Sequence, residues 1–210
     1  MNIFLVRHGE TEWNSLGRFQ GQVDVTLNSR GIGQSLDIAK ASFTWSLGAL
    51  YTSPLIRTMQ VAEQIGKQIG LPVISDDRLM ELSLGELEGI TGLEMRTNWA
   101  EVYDNSRNNP GHTVLPGGES LSQLQKRGWD FLIEKEKEHQ QDSAILFVSH
   151  NFTIRCIISY LLGMPWSHFH QTHLDLSSVC LIETDGNTRR LKTYNSTSHI
   201  SYQNLSVTRG

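Results

Sequence analysis

Short apolar runs alternate along the chain with stretches whose apolar residues recur at helical spacing. Ile3-Phe4-Leu5-Val6 and Ala144-Ile145-Leu146-Phe147-Val148 are continuously apolar, as strands buried on both faces of a sheet are. The first strand runs from Asn2 to Val6. Leu50-Tyr51-Thr52 and Leu71 to Ser75 read as two more, the latter at an edge because Pro72 cannot donate into a ladder. Between them Ile32, Leu36, Ala39 and Phe43 outline one helix. Leu55, Met59, Ala62, Ile65 and Ile69 outline the next, with Ser53 as N-cap, Pro54 at the first helical position and Gly70 as the stop. Ser120 and Gln123 make a capping box for a helix striped by Leu121, Leu124, Phe131 and Leu132. Phe152 to Leu162 is a further helix, ended by Gly163 and Pro165. Val179 to Glu183, the turn Asp185-Gly186, and Arg190 to Tyr194 read as a closing hairpin.

Strands alternating with helices predict an α/β fold, a three-layer α/β/α sandwich whose central sheet is mostly parallel with helices on both faces. One domain accounts for residues 1–210. The periodicity weakens between Gly89 and Gly118, where polar residues, Pro110-Gly111 and Pro116-Gly117-Gly118 accumulate. Residues 90–118 are expected to be partly helical, then irregular, and to lie over the body as a lid. In open α/β sheets ligands bind beyond the carboxyl ends of the strands. His8 and His150 each follow a buried strand directly, so the two imidazoles converge if those strands are neighbours.

Composition narrows the function classes. A net charge of −4 and a pI near 6.0 argue against broad affinity for nucleic acid or an anionic membrane. Any affinity for phosphate must come from a local cationic pocket. Cys156 and Cys180 lack metal-motif spacing and sit among apolar residues, as small buried side chains do. The opening apolar run is too short for a signal peptide or a membrane span, so a soluble, cytoplasmic protein is expected. Asn195-Ser196-Thr197 fits the glycosylation pattern but carries meaning only in a secreted protein.

The candidate chemistry gathers at four places. Arg7-His8 follows the first strand, Arg57 lies in the first turn of the second helix, Glu81 follows the third strand, and His150 follows the last core strand. Two arginines and a histidine around another histidine suit a compact dianion such as phosphate, because arginine offers a planar donor fork with a permanent charge. Backbone N–H groups opening the Phe152 helix are expected to add to that field. Guanidinium charges would hold His8 neutral and so nucleophilic. His168, His170 and His173 fit no standard zinc spacing and are read as lining a polar segment. Trp99, Tyr103 and His112 either touch a ligand or fasten the lid.

Arg7-His8-Gly9-Glu10 with Asn14, Ser53-Pro54-Leu55 with Arg57-Thr58, Glu81 with Gly85, Leu87 and Gly89, and Ser149-His150 resemble, in that order, the histidine phosphatase superfamily, also called phosphoglycerate mutase-like. The likeness spans residues 2 to about 165. It implies that His8 attacks phosphorus and becomes a phosphohistidine. Arg7, Arg57 and His150 would hold the phosphoryl oxygens, helped by Asn14. Glu81 would protonate the leaving alkoxide and then deprotonate water, while Gln20 and Gly21 would line the substrate mouth. It implies neither metal nor other cofactor, and a small phosphorylated metabolite as partner. Asn151 stands where the family commonly has glycine, and its side chain is expected to narrow the pocket or add a hydrogen bond to substrate.

Within that resemblance a phosphomonoester phosphatase is the leading expectation. A cofactor-dependent phosphoglycerate mutase is the alternative, and a non-catalytic phospho-ligand binder the remote one. Between Thr91 and Gly118 two arginines face three carboxylates, a net −1, which is a poor cover for a multiply charged phosphoglycerate. Only 69 positions separate Glu81 from His150, so the insertion typical of the mutases is absent. Pro116-Gly117-Gly118-Glu119-Ser120 resembles the phosphatase branch. The closing hairpin would offer an edge for pairing into a homodimer.

Overall fold

The computed structural model describes residues 1–206. Its six strands are β1 (Asn2–Arg7), β2 (Leu47–Thr52), β3 (Val73–Ser75), β4 (Ala144–Ser149), β5 (Val179–Thr184) and β6 (Arg189–Ser196). They form one sheet in the order β3-β2-β4-β1-β5-β6. The first four neighbours pair in parallel, β5 pairs antiparallel with β1, and β6 antiparallel with β5. The helices are α1 (Glu12–Ser15), α2 (Ser29–Ser42), α3 (Ile56–Ile69), α4 (Gly92–Asn98), α5 (Ala100–Asn108), α6 (Leu121–Glu138) and α7 (Asn151–Leu161).

Strand alternation divides the apolar residues between two layers. Ile3, Leu5, Tyr51, Ile145 and Phe147 meet Phe131 and Leu132 of α6 and Ile154, Ile157 and Ile158 of α7. Phe4, Val6, Leu50, Leu146 and Val148 meet Ile38 and Ala39 of α2 and Val61, Ala62 and Ile65 of α3. The expected three-layer sandwich follows directly from the continuously apolar β1 and β4, which serve both layers. β3 is an edge strand three residues long, and Pro72 stands just outside it. The capping box of α6 forms as expected, with Ser120 Oγ accepting from Gln123 N and Gln123 Oε1 from Ser120 N.

Two expectations are corrected. Of the apolar stripe read for α2, only Ala39 is buried; Ile32, Leu36 and Phe43 are 46, 45 and 67% exposed. The buried face is instead Gly31, Gln34, Ser35, Ile38, Ala39 and Ser42. A Cβ on Gly31 would lie 2.1 Å from Glu10 O, so only glycine permits this approach to the loop after β1. Gln34 satisfies that loop, its Oε1 accepting from Glu10 N at 2.8 Å. Close backbone contact and a satisfied buried amide thus override hydrophobic periodicity. The second correction concerns α3, which starts at Ile56 and not at Pro54. Asp24 caps it from a distance, its Oδ1 accepting from Ile56 N at 2.6 Å, while Ser53 Oγ accepts from Leu55 N at 3.3 Å and has a second partner described below.

Residues 90–118 carry α4 and α5 and then run irregularly to Gly118. Their apolar side chains Met95 and Leu115 join Leu82, Leu84, Leu87, Leu121, Leu124 and Phe169 in a third cluster, with Trp99 and Tyr103 packed against it. Both cysteines are buried thiols. Among the described residues no helix is long and apolar enough to cross a membrane.

Candidate active site

Because β1 and β4 are parallel neighbours with Arg7 opposite Ser149, His8 and His150 leave the sheet side by side. Their ring centroids lie 5.2 Å apart, edge to face. His8 N donates to Ser149 O at 3.1 Å, locking the two strand ends together. His8 Nδ1 lies 2.7 Å from Gly9 O. A carbonyl only accepts, so Nδ1 carries the proton and the lone pair is on Nε2. Burial, then the charges of Arg57 and Arg7, push the His8 pKa well below its ordinary value. The ring is therefore a neutral base with a free Nε2. His150 is depressed likewise, by burial first and then by Arg57 and His8.

Arg57 is wholly buried at the second position of α3. Its Nη1 and Nη2 donate to Val23 O at 2.8 Å and Gly21 O at 2.6 Å. Arg7 is anchored through Nη1 on Leu174 O. Burial lowers each guanidinium to about 10, which leaves both cationic at neutral pH. Arg7 Nε, Arg57 Nε and His150 Nδ1 are buried without a protein partner. Buried polar atoms are rarely left unpaired. Two cationic donors and a second imidazole around the His8 ring fit an oxyanion with several acceptors. His150 Nε2 is fixed by Ser53 Oγ at 2.8 Å, the role that the shifted start of α3 leaves to Ser53.

Glu81 enters from the loop after β3, where its carboxylate caps α7. Oε1 accepts from Leu82 N at 2.9 Å, Phe152 N at 3.1 Å and Thr153 N at 3.3 Å, and Oε2 from Phe152 N at 3.2 Å. The N–H groups of α7 that were expected to face a phosphate are thus occupied by Glu81 itself. That loop is braced heavily. Arg127 donates to Arg78 O, Met80 O and Glu81 O at 2.8, 2.7 and 2.9 Å. It also pairs with Glu119 at 2.6 Å, and Glu119 Oε1 accepts from Ser83 N at 2.9 Å. Gln22 Nε2 and Thr153 Oγ1 reach Glu81 O and Met80 O. A Cβ on Gly118 would sit 2.2 Å from Ser83 O, so the Pro116-Gly117-Gly118 turn must run bare against this loop.

The remaining expected residues are each held by contacts of their own. Asn14 Oδ1 accepts from Thr11 N and Thr11 Oγ1 at 3.1 and 3.0 Å, which leaves its Nδ2 for a ligand. Gln20 is buried, with Oε1 accepting from Thr11 Oγ1 at 2.9 Å. Gly21 has φ +53° and presents its carbonyl to Arg57. Asn151 is the first residue of α7 and half-buried, with His150 as N-cap and ordinary helical backbone. The turn therefore needs neither glycine nor the left-handed conformation that asparagine tolerates. His168 and His173 pair locally with Ser167 and Asp175. Among the described residues no three His, Cys, Asp or Glu side chains gather to hold a metal ion.

Sequence reasoning missed Ser53, Arg127, Glu119 and Arg155 as members of this neighbourhood. Arg155 is buried beside Arg7, stacked 4.2 Å over Phe169 and donating to Phe169 O at 2.7 Å. Ser53 and Glu119 stood inside motifs already noted, Ser53 read there as a helix cap. Arg127 and Arg155 carry no local signal, because their partners lie far away in the chain.

The sequence model of the histidine phosphatase superfamily (branch 1) matches residues 3–197, so the protein belongs to that superfamily. Phosphoserine phosphatase 1 of Hydrogenobacter thermophilus is 32% identical over 200 residues, covering 95% of this chain and 94% of the relative. A probable phosphoglycerate mutase, GpmB of Escherichia coli, is 33% identical over 211 residues, covering 91% and 95%. The structure of Bacillus stearothermophilus YhfR superposes with a TM-score of 0.89 at 28% identity, covering 95% of this chain and 99% of that one.

Proposed function

We propose that the protein is a metal-independent phosphatase that hydrolyses small phosphomonoesters through a phosphohistidine on His8. The observation that carries this reading is the neutral His8 ring with its free Nε2, set among the unpartnered Arg7 Nε, Arg57 Nε and His150 Nδ1. In the first step Nε2 attacks phosphorus, and the N–P bond forms as the ester P–O bond breaks. The departing oxygen keeps the bonding pair and takes a proton from the Glu81 carboxyl group. In the second step the Glu81 carboxylate takes a proton from water. The water oxygen bonds to phosphorus, and the N–P pair returns to Nε2 as inorganic phosphate leaves.

Arg7, Arg57, His150 and the Nδ2 of Asn14 meet the charge on the transferring group, the kind of preorganised stabilisation that is often the largest catalytic contribution. Gln20, Gly21 and Asn151 border the substrate. The donors aimed at Glu81 suit the carboxylate required by the second step. In the first step the same group, as the acid, gives its proton to the departing oxygen. Helices α4 and α5 act as the lid over the leaving group.

The mutase reading requires that the phosphohistidine be shielded from water and that a second anionic group be held. The acidic balance of residues 91–118 opposes the latter. The test is phosphate release from a panel of phosphomonoesters in EDTA, with 3-phosphoglycerate isomerisation followed alongside and His8→Ala as control. EDTA-resistant, His8-dependent release together with an acid-labile, base-stable phosphoryl label on His8 is expected. Isomerisation without release would overturn the phosphatase reading in favour of the mutase.

A further inference from the structure

Beside the phosphoryl site lies a second feature that the chemistry above does not use. A cavity of about 190 Å³ opens under α4 and α5. It adjoins the site through three residues. Leu82 and Phe152, whose backbone N–H groups hold the Glu81 carboxylate, form one wall, and Phe19, next to Gln20, forms part of another. Leu84, Leu87 and Leu115 line it from below, and Met95 and Tyr103 from the helical segment above. The proton donor of the proposed mechanism therefore stands at the boundary between a cationic pocket and an apolar one. Arg7, His8, Arg57, Glu81 and His150 do not themselves line the cavity; its link to the site runs through Leu82, Phe152 and Phe19.

Apart from Arg107, the polar groups at the cavity wall are committed to the protein itself. Glu119 is held by Arg127 and Ser83 N. Ser106 Oγ donates to Tyr103 O, and Thr113 Oγ1 to Asn105 O and Asn109 O. His170 Nε2 faces Ser106 O. Arg107 is exposed at the rim and forms no ion pair among the described residues. Nothing inside offers a buried counter-charge to a carboxylate or an ammonium group, and an unpaired buried charge is strongly disfavoured. A cavity of about 150 Å³ lined by aliphatic side chains already accommodates a benzene-sized molecule. The space here suits one ring or a short alkyl chain.

We infer that this cavity is the leaving-group pocket, and that the preferred substrates are phosphomonoesters of an uncharged apolar alcohol the size of one ring or a short alkyl chain. This rests on the phosphatase reading and narrows it. The bonds made and broken are those already given; only the identity of the departing alcohol is added.

The test uses ethyl, butyl and hexyl phosphate, whose alcohols have nearly the same acidity, so chain length changes burial and not leaving-group chemistry. Burial of a methylene corresponds to roughly a fourfold gain. For the wild-type protein, kcat/KM should therefore rise on the order of tenfold from ethyl to butyl phosphate and flatten once the cavity is filled. Phosphoserine and 3-phosphoglycerate should fall below butyl phosphate. Met95→Trp, which fills the cavity, should bring the hexyl-to-ethyl ratio toward one. Methyl-, butyl- and hexylphosphonate, which cannot be hydrolysed, should inhibit the wild type with the same chain-length dependence, whether or not the variant folds. A flat dependence with intact His8-dependent turnover, or a preference for phosphoserine or 3-phosphoglycerate, overturns the pocket and leaves the phosphatase reading standing. Absence of His8-dependent turnover on every ester, with no label on His8, overturns the phosphatase reading and the pocket assignment with it.

Discussion

Replacing Arg127 by methionine should slow the protein selectively, on the substrates that need a proton donor. The guanidinium is far from phosphorus in role, but it is the main brace of the loop that carries Glu81. It donates to three carbonyls of that loop, Arg78 O, Met80 O and Glu81 O, and closes a salt bridge to Glu119. Methionine keeps the length of the stem and removes every donor. Hydrogen bonds to a charged group are worth roughly 1.5–3 kcal/mol each, and removing one partner of a buried pair costs about 3–5 kcal/mol. The Arg127 and Glu119 side chains are 20 and 17% exposed, so water can reach the orphaned groups in part. A stability loss near the lower end, about 3 kcal/mol, is expected.

The effect on rate should be separable from that loss. Glu81 would still cap α7 through Leu82 N, Phe152 N and Thr153 N, so the carboxylate is displaced and not released. A misplacement of about 1 Å in a reacting group can cost on the order of 10²-fold. Butyl phosphate turnover in Arg127→Met should fall by roughly 10–10²-fold, measured well below the denaturation midpoint. With p-nitrophenyl phosphate, whose phenolate leaves without a proton, the first step should be far less affected. Arg127→Lys should be intermediate, because an ammonium cannot span the carbonyls and the carboxylate as a guanidinium fork does. Equal losses on both esters, or unchanged kcat on butyl phosphate in a destabilised protein, would refute the idea that the brace positions the acid.

Glu81→Gln should lose about 10²–10⁴-fold on butyl phosphate and much less on the first step with p-nitrophenyl phosphate; comparable losses in burst kinetics on both would remove Glu81 from the acid role. His8 and His150 are held neutral by burial and by the arginines, so the unfolded chain binds more protons than the folded one near and below pH 6.5. Their contribution is fully present above that value and is lost as pH falls toward their depressed folded values, with a limiting slope of about 1.4 kcal/mol per pH unit for each ring. Urea denaturation of the wild type and of His8→Ala between pH 5 and 8 should show a shallower acid-side slope in the variant, and parallel slopes would contradict neutral burial of His8.

The residues that could be read directly from the chain are those whose reason is local. The unbroken apolar runs of β1 and β4 announce burial on both faces, and each ends on a histidine, so the convergence of His8 and His150 needed only that the two strands be neighbours. The buried face of α2 escapes the apolar pattern because beside Ile38 and Ala39 it carries Gly31, Gln34, Ser35 and Ser42, of which Gly31 and Gln34 meet the Glu10 loop. Its more hydrophobic side, Ile32, Leu36 and Phe43, is left in water. Ser53 has the sequence context of a helix cap and yet fastens His150, because Asp24 performs the capping from another loop. Arg127 looks like any cation on an amphipathic helix until the fold sets it beside Met80 and Glu81.

These cases share one physical origin. Periodicity reports whether a side chain prefers water, whereas the site is assembled from buried polar groups whose partners are distant in sequence. The same distinction bears on substrate choice. The phosphoryl pocket is built from motif residues at strand ends, Arg7, His8, Arg57 and His150, and its preference for a dianion follows from chemistry those residues cannot avoid. The leaving-group side is built from Leu82, Leu84, Met95 and Phe152, residues that each look like ordinary core. A segment of net negative charge over an apolar cavity, with Arg107 exposed at its rim, gives a phosphoglycerate no buried cation on the leaving-group side. The alkyl ester series therefore examines the side of the site that the motif residues leave unspecified.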